Sequence, residues 1–141
     1  MAKDLFHSAV KTALQKEGWI ITHDPYDLAV GGVEMHIDLG AELLGAERNG
    51  TKIAVEVKSF VGHSAITEFH AAHGQYLDYR YALETEDPDR LLYLAISEKV
   101  YEEVFGLKFI ESVVERSQIK RFVYDPQPEV MTPSAFCLLP L

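Results

Sequence analysis

The sequence has a single cysteine, few basic side chains and no long apolar segment. Because Cys137 stands alone, an internal disulfide is excluded, and its place in the apolar run FCLLPL favours a small buried side chain. No run approaches the ~20 apolar residues that a membrane-spanning helix needs, and the N-terminal MAKDLFHSAV lacks the pattern of a signal peptide. We therefore expect one cytoplasmic domain, residues 1–141, with no membrane partner.

Basic residues are clearly outnumbered. Lysine and arginine total 13, aspartate and glutamate total 22, and the net charge is -9. Proteins that coat nucleic acid by counterion release need many cations, so we expect the chain alone to bind DNA only weakly. A basic partner protein would suit the remaining acidity.

The motifs of several enzyme classes are also missing. The sequence contains no G-x-S-x-G, no P-loop, no G-x-G-x-x-G and no Cys–His spacing typical of a nucleophilic pair. His70 and His73 have a spacing that could bind zinc from one helix, but without a paired Cys or His motif a structural role is favoured.

The central stretch, Val33 to Phe60, carries two runs of alternating apolar residues joined at Asn49-Gly50. Asn-Gly is the strongest short-range signal for a two-residue hairpin turn, so we predict a β-hairpin here. Successive side chains of a strand point to opposite faces. The alternation therefore predicts Glu34, His36 and Asp38 on one face of the first strand, and Ala54, Glu56 and Lys58 on one face of the second.

Asp38, Glu56 and Lys58 have the chemistry of a hard-cation site. Two carboxylates supply the oxygen ligands that Mg²⁺ or Mn²⁺ prefers, together with water and substrate phosphate. Lys58 would orient a bound water and stabilise charge on the phosphate. Without a metal, the two carboxylates should repel each other and one pKa should rise.

The turn creates a problem of register. Perfect pairing around Asn49-Gly50 would place Glu56 opposite Leu43 and Asp38 on the wrong face. One extra residue restores the parity, so we predict a bulge or strand break at Gly40 or Gly45. A bulge at Gly45 would also bring Glu42 to the site face as a third possible ligand.

The rest of the chain supplies the flanking elements. We expect a helix over 3–17, a short buried strand at 19–22, a connector over 26–32, a helix from about 64 to 84, a buried strand at 90–97, helices after Ser97 and from 107 to 117, a strand at 118–125 and a final edge strand. This order predicts an α/β (α+β) fold with an αβββαβ core, in which helices flank a central mixed sheet.

The pair Ile37-Asp38 followed by Glu56-Val57-Lys58 resembles the PD-(D/E)xK nuclease superfamily, whose signature is an acid on one strand and E-x-K on the next. Isoleucine replaces the proline. The resemblance implies a restriction-endonuclease-like fold, metal-dependent phosphodiester hydrolysis, and catalytic positions at Asp38, Glu56 and Lys58.

Accessory residues follow from the same resemblance. Gln75 and Tyr79 form the Q-x-x-x-Y that the RecB-like branch carries on the next helix, pointing at the site. The strand pattern, rather than the resemblance, adds His36, which lies two residues before Asp38 on the same predicted face and could line the site or touch a phosphate. Some branches add a first-helix carboxylate, and Asp4 or His7 stands nearest that position here.

Over its full length, the chain also resembles the XisH excision-controlling factors of cyanobacteria, through DLFHSAVKTALQKEGWIITHDPY, EVKSFVG and GQYLDYRYAL. The resemblance implies control of the excision of a DNA element that interrupts a nitrogen-fixation operon, with an XisI-like companion and a site-specific recombinase as partners. A homodimer would suit the cutting of two strands. Two functions stay open: a Mg²⁺-dependent DNA endonuclease, and a catalytically silent regulator with this fold that acts by protein contacts.

Overall fold

The computed structural model describes residues 2–44, 50–60 and 64–132, with side chains from Leu5 onward. Several sequence predictions lie outside that part of the chain: the bulge at Gly45, the turn residue Asn49, the helix boundary at Gly62, the surroundings of Cys137 and the side chain of Asp4.

Five consecutive strands follow the first helix, and the remaining helices and strands come after them. In order they are α1 (Ala2–Lys16), β1 (Ile20–His23), β2 (Tyr26–Val30), β3 (Val33–Ile37), β4 (Leu39–Leu43), β5 (Thr51–Val57), α2 (Ala65–Glu86), β6 (Arg90–Ser97), α3 (Glu98–Glu103), α4 (Lys108–Arg116), β7 (Arg121–Asp125) and β8 (Val130–Met131).

Six of the strands form one mixed sheet in the order β1-β4-β5-β6-β7-β8, and β2 with β3 forms a separate two-stranded sheet. The pairs β1–β4, β4–β5 and β7–β8 are antiparallel, whereas β5–β6 and β6–β7 are parallel. The predicted α+β class with a central mixed sheet between helices is confirmed, and the topology is consistent with a nuclease-like core.

Helix α1 covers one face of the large sheet. Val10, Ala13 and Leu14 are fully buried, since residues three and four apart share one side of a helix. They pack in one core cluster with Ile53 and Val55 of β5. Burying each large aliphatic side chain of this kind contributes about 1.5–3 kcal/mol.

Helices α2, α3 and α4 and the two-stranded sheet cover the other face. Ala54, whose neighbours Ile53 and Val55 face α1, belongs to the cluster that contains the buried residues of α2. The predicted alternation of β5 is therefore correct, and it directs Glu56 toward the α2 side. Ser64 begins α2, where its Oγ accepts the Thr67 N–H at 3.3 Å.

Strand β6 is buried almost throughout, as predicted for a strand covered on both faces.

Among the residues that the structure describes, no helix is long and apolar enough to cross a bilayer.

Several local predictions were wrong. Tyr26–Val30 is a strand rather than a connector, and β1 is a largely exposed edge strand rather than a buried one. The predicted first hairpin strand is two strands, since it breaks at Asp38 between β3 and β4. Leu43 pairs with Thr51, whereas a two-residue turn at Asn49-Gly50 would pair Leu43 with Glu56, so the register predicted from that turn is wrong.

Gly40, one of the two positions predicted for a bulge or strand break, has neither. Gly40 pairs in regular register with Ala54, and the irregularity lies in the neighbouring strand β1, between Ile21 and His23. The glycine serves a close approach instead: a Cβ at this position would lie 3.0 Å from both His23 and Tyr26.

Candidate active site

Asp38 and Glu56 face each other at the strand break. The register that pairs Leu39 with Val55 places Asp38 opposite Glu56, because β4 and β5 are antiparallel. Each carboxylate accepts a backbone hydrogen bond from the other strand: the Asp38 N–H donates to Glu56 Oε1 at 3.1 Å, and the Val57 N–H donates to Asp38 Oδ2 at 2.8 Å. These reciprocal bonds fix both side chains at one place.

Lys58 lies beside the two carboxylates, and we call Asp38, Glu56 and Lys58 the triad. Its Nζ lies 3.3 Å from Glu56 Oε2, while its backbone N–H donates to the Ala95 carbonyl at 3.1 Å. The backbone bond continues the pairing of β5 with β6 past the end of the strand. Lys58 is therefore anchored by its main chain and keeps a partly exposed ammonium group beside the carboxylates.

Burial makes the charge on Glu56 unfavourable. The residue is 8% exposed, and burial together with the negative charge of Asp38 raises its pKa from 4.5 to about 7, although Lys58 acts in the opposite direction. This carboxyl group therefore holds its proton to a higher pH than an ordinary glutamate does. A nearby cation would favour the ionised form.

The donor set fits a divalent cation of the Mg²⁺ type. Asp38 Oδ1 has no hydrogen-bond partner among the described residues, and the oxygens of both carboxylates are the hard ligands that Mg²⁺ prefers. No cluster of three or more His, Cys, Asp or Glu side chains suited to a metal occurs in the described part of the chain. An ion held here would complete its coordination with water and phosphate oxygens.

Tyr79 supports the strand break from helix α2. Its hydroxyl donates to the carbonyl of His36 at 3.0 Å, two residues before Asp38. Burial and then the charges of Glu56 and Asp38 raise the Tyr79 pKa to about 12, so the phenol stays protonated and remains a donor. The predicted accessory tyrosine thus lies beside the triad and contacts its backbone.

Gln75 lies one helical turn before Tyr79. Its Oε1 is buried and lacks a hydrogen-bond partner among the described residues. A buried amide oxygen without a partner costs free energy unless a water or a ligand donates a hydrogen bond to it or an ion binds it.

Two other predicted site residues lie apart from the triad. The His36 side chain is on the exposed face of the two-stranded sheet, where its Nδ1 contacts Asp27 Oδ1 at 2.7 Å, so only its carbonyl takes part. Glu42 lies on the same sheet face as Glu56, but in the strand register it stands opposite Lys52. Lys52 is four residues from Glu56, which is about 13 Å along the strand at ~3.3 Å per residue. We therefore leave Glu42 out of the proposed ligand set.

Two further histidines also have partners away from the triad. His7 lies near Asp24, with its Nε2 2.7 Å from Asp24 Oδ1, in the turn after β1. His73 lies 2.9 Å from the Ser117 hydroxyl and stacks on Phe69, which fits the structural role favoured from the sequence.

Sequence reasoning missed a cleft of about 360 Å³ that opens beside Lys58, between the end of β5 and the first turns of α2. Phe60 and Glu68 line it together with Lys58. Phe60 has a left-handed backbone, with φ of 52°, an uncommon conformation for a bulky residue. Glycine is the residue that usually signals a left-handed backbone, and phenylalanine gives no such signal, so the sequence alone does not indicate this conformation.

The comparisons with known proteins agree with one another. The model of the XisH protein family matches residues 1–132. A crystal structure of an fdxN element excision controlling factor protein from Anabaena variabilis is 48% identical, with a TM-score of 0.83, over 92% of this chain and 96% of that one. An XisH family protein from Nostoc punctiforme is 46% identical, with a TM-score of 0.83, over 92% of this chain and 97% of that one. No curated protein matches the chain. The family model and both solved structures cover nearly the whole chain, which therefore belongs to the XisH family.

Proposed function

We propose that this protein controls the excision of a DNA element, as its relative from Anabaena variabilis, an fdxN element excision controlling factor, is named for doing. We propose further that it does so with a metal-dependent phosphodiesterase site of the PD-(D/E)xK type. The observation that carries the catalytic part is the reciprocal hydrogen bonding of Asp38 and Glu56, with Lys58 beside them. An XisI-like companion and a site-specific recombinase are the proposed partners.

Each member of the triad has a distinct role in this proposal. Asp38 offers its unpartnered Oδ1, and Glu56 offers a carboxylate whose ionised form a cation would favour. Lys58 places positive charge where the phosphate would lie, and it can hold a water through its partly exposed ammonium group. A bound Mg²⁺ or Mn²⁺ would polarise the scissile phosphate and lower the pKa of a coordinated water.

The fold supports a nuclease-type assignment. Strands β4 and β5 carry the acid and the E-x-K on adjacent antiparallel strands, and α2 follows directly with Gln75 and Tyr79 on the same side of the sheet as Glu56. These features suit a site that grips a phosphodiester at the end of β5.

A second function has its own supporting observation. Both carboxylates accept backbone N–H groups, so the pair also joins β4 to β5 without any ion. In a chain with net charge -9, the same residues could serve only as a structural link in a regulator that acts by protein contacts. This is the alternative that the experiment must separate.

The experiment is cleavage of supercoiled, branched and single-stranded DNA with Mg²⁺, Mn²⁺ or a chelator, by the protein alone and with its XisI-like companion. Asp38→Asn and Glu56→Gln should abolish a metal-dependent nick, because each change removes a charged ligand and keeps the size of the side chain. Glu42→Gln is the matched control, since Glu42 lies on the same sheet face but pairs with Lys52.

The two functions predict different outcomes. A nick that Asp38→Asn and Glu56→Gln abolish and Glu42→Gln preserves supports catalysis. If all three variants cleave equally, or if excision in cells is unchanged by Glu56→Gln, the catalytic proposal is wrong and the regulator remains.

A further inference from the structure

A second cavity lies on the other flank of α2. Its volume is about 350 Å³, and its walls come from the C-terminal half of α2, the start of β6 and the segment between α4 and β7. Tyr76 and Arg80 of α2 line it, whereas Tyr79 of the same helix points to His36 and the triad. The cavity is therefore separate from the Asp38–Glu56 site.

Arg80 is held in a fixed orientation in this cavity. One guanidinium nitrogen, Nη1, donates to the carbonyls of Ser117 at 2.7 Å and Gln118 at 3.1 Å, at the end of α4. The guanidinium also interacts with the Tyr76 side chain, and its central carbon lies 5.5 Å from the centre of the Tyr76 ring. An arginine that is oriented in this way and carries five N–H donors is suited to recognise a phosphate.

Lys120 supplies a second cation. Its backbone N–H donates to the Tyr76 hydroxyl at 3.0 Å, which fixes the main chain at the wall of the cavity. Its exposed ammonium group has no partner among the described residues. Neither Arg80 nor Lys120 forms an ion pair with a carboxylate among the described residues, and both lie on the side of the cavity formed by α2 and the start of β7.

The local charge is opposite to that of the whole protein. Among the described residues that line the cavity, Glu84 is the one carboxylate, against Arg80, Lys120 and Arg90. Arg90 contributes little net charge, because its Nε donates to Asp87 at 2.9 Å. The two remaining cations still outnumber the one acid, in a chain whose net charge is -9.

An aromatic side chain lies at the same cavity. Tyr81 is 59% exposed and lines it beside Arg80. Exposed aromatic rings next to cations are typical of sites that stack a nucleobase and bind the attached phosphate.

We propose that this cavity binds a nucleoside phosphate group, with the phosphate on Arg80 and Lys120 and the base against Tyr81. The ligand chemistry is the same for a free nucleotide and for one unit of a single strand. This site does not depend on the proposed metal chemistry, because the two lie on different flanks of α2.

The test uses the full-length Glu56→Gln protein without divalent metal, so that cleavage does not interfere. Inorganic phosphate, adenosine monophosphate and a single-stranded oligodeoxynucleotide are titrated while the backbone amide signals of Tyr81, Gln118 and Lys120 are followed by NMR. Saturable shifts at these three amides are expected. Lys120→Glu should weaken binding of the nucleotide about tenfold or more, since it reverses a charge that contacts the phosphate.

Matched variants localise the effect. Lys99→Glu makes the same charge change at an exposed lysine of α3 that does not line the cavity, and it should change affinity less than about twofold. Tyr81→Ala should weaken the binding of adenosine monophosphate but leave the binding of inorganic phosphate unchanged. Because all three positions are exposed or partly exposed, the variants should remain folded.

The outcomes decide both the site and the source of the ligand. Oligonucleotide binding at least about tenfold tighter than adenosine monophosphate assigns the site to a strand, and equal or weaker binding assigns it to a free nucleotide. The absence of saturable shifts at the three amides overturns the proposal. An equal loss with Lys99→Glu and Lys120→Glu also overturns it, because overall charge would then explain binding.

Discussion

Helix α2 has two flanks that differ in charge and in what their tyrosines do. On one flank, Tyr79 lies near the carboxylates of Asp38 and Glu56. On the other, Tyr76 lies in the cavity with the cations of Arg80 and Lys120. The first flank has an excess of negative charge that suits a metal ion, and the second has an excess of positive charge that suits a phosphate.

The two hydroxyl groups show how the same side chain can serve different purposes. The Tyr76 hydroxyl donates to the Leu92 carbonyl at 2.8 Å and accepts the Lys120 N–H at 3.0 Å, so it joins α2 to β6 and to the start of β7. The Tyr79 hydroxyl donates to His36, two residues from Asp38. Tyr76 therefore stabilises the framework, whereas Tyr79 fixes the backbone that presents a site residue.

The largest expected effect is on stability at the acidic flank. The folded protein holds the Glu56 proton more tightly than the unfolded chain, because its pKa is about 7 instead of 4.5. Stability should therefore fall as pH rises from about 4.5 to 7, by roughly 3 kcal/mol from this residue at ~1.4 kcal/mol per pH unit. Urea unfolding across this range measures it.

Glu56→Gln supplies the control for that slope. Glutamine can still accept the Asp38 N–H but does not ionise, so the decline with pH should disappear and the variant should exceed the wild type in stability at pH near 8. If the free energy of unfolding changes with pH equally in the two proteins, burial and the charge of Asp38 do not raise the Glu56 pKa.

The next effect concerns Lys58. Lys58→Met keeps the length of the side chain and removes its charge beside Glu56, so the rate of metal-dependent cleavage should fall about a hundredfold or more. Affinity for Mn²⁺ should be retained or increase, because the ion no longer competes with the ammonium group. Lys52→Met is the control, because Lys52 lies on the same strand but its ammonium group donates to Asp87 instead of Glu56. This variant should leave cleavage unchanged. Equal losses in both lysine variants would contradict the role given to Lys58.

The smallest effect separates the two tyrosines directly. Tyr79→Phe should weaken Mn²⁺ binding about tenfold, as removal of an outer hydrogen bond does at other metal sites, while stability falls by only about 1 kcal/mol. Tyr76→Phe should lower stability by about 2 kcal/mol and leave Mn²⁺ affinity unchanged. Calorimetric titration and urea unfolding of both variants check this pair. The comparison fails if the two changes have the same effect on metal affinity.

The parts of the site that were predicted from sequence depend on local pattern. Alternation in β5 placed Ile53 and Val55 on one face and Glu56 on the other, because strand geometry allows little else. Helix capping was similarly local, as Ser64 shows.

The parts that were missed depend on distant contacts. The register of β4 against β5 follows the packing of Leu39 and Val55 in the core rather than the Asn-Gly pair, whose geometry would place Asp38 on the wrong face. Gly40 looked like a bulge, but its smallness makes room for His23 and Tyr26 from the neighbouring strands. The bond from Tyr79 to a carbonyl 43 residues away has no local signature at all.

The central claim is that Asp38 and Glu56 together bind a divalent cation. The most direct measurement is the pKa of the Glu56 carboxyl group, followed by carbon NMR, with and without saturating Mg²⁺. We predict a pKa near 7 that Mg²⁺ lowers markedly in the wild type and in Glu42→Gln, but not in Asp38→Asn. A Glu56 pKa that Mg²⁺ leaves unchanged in the wild type would contradict this claim.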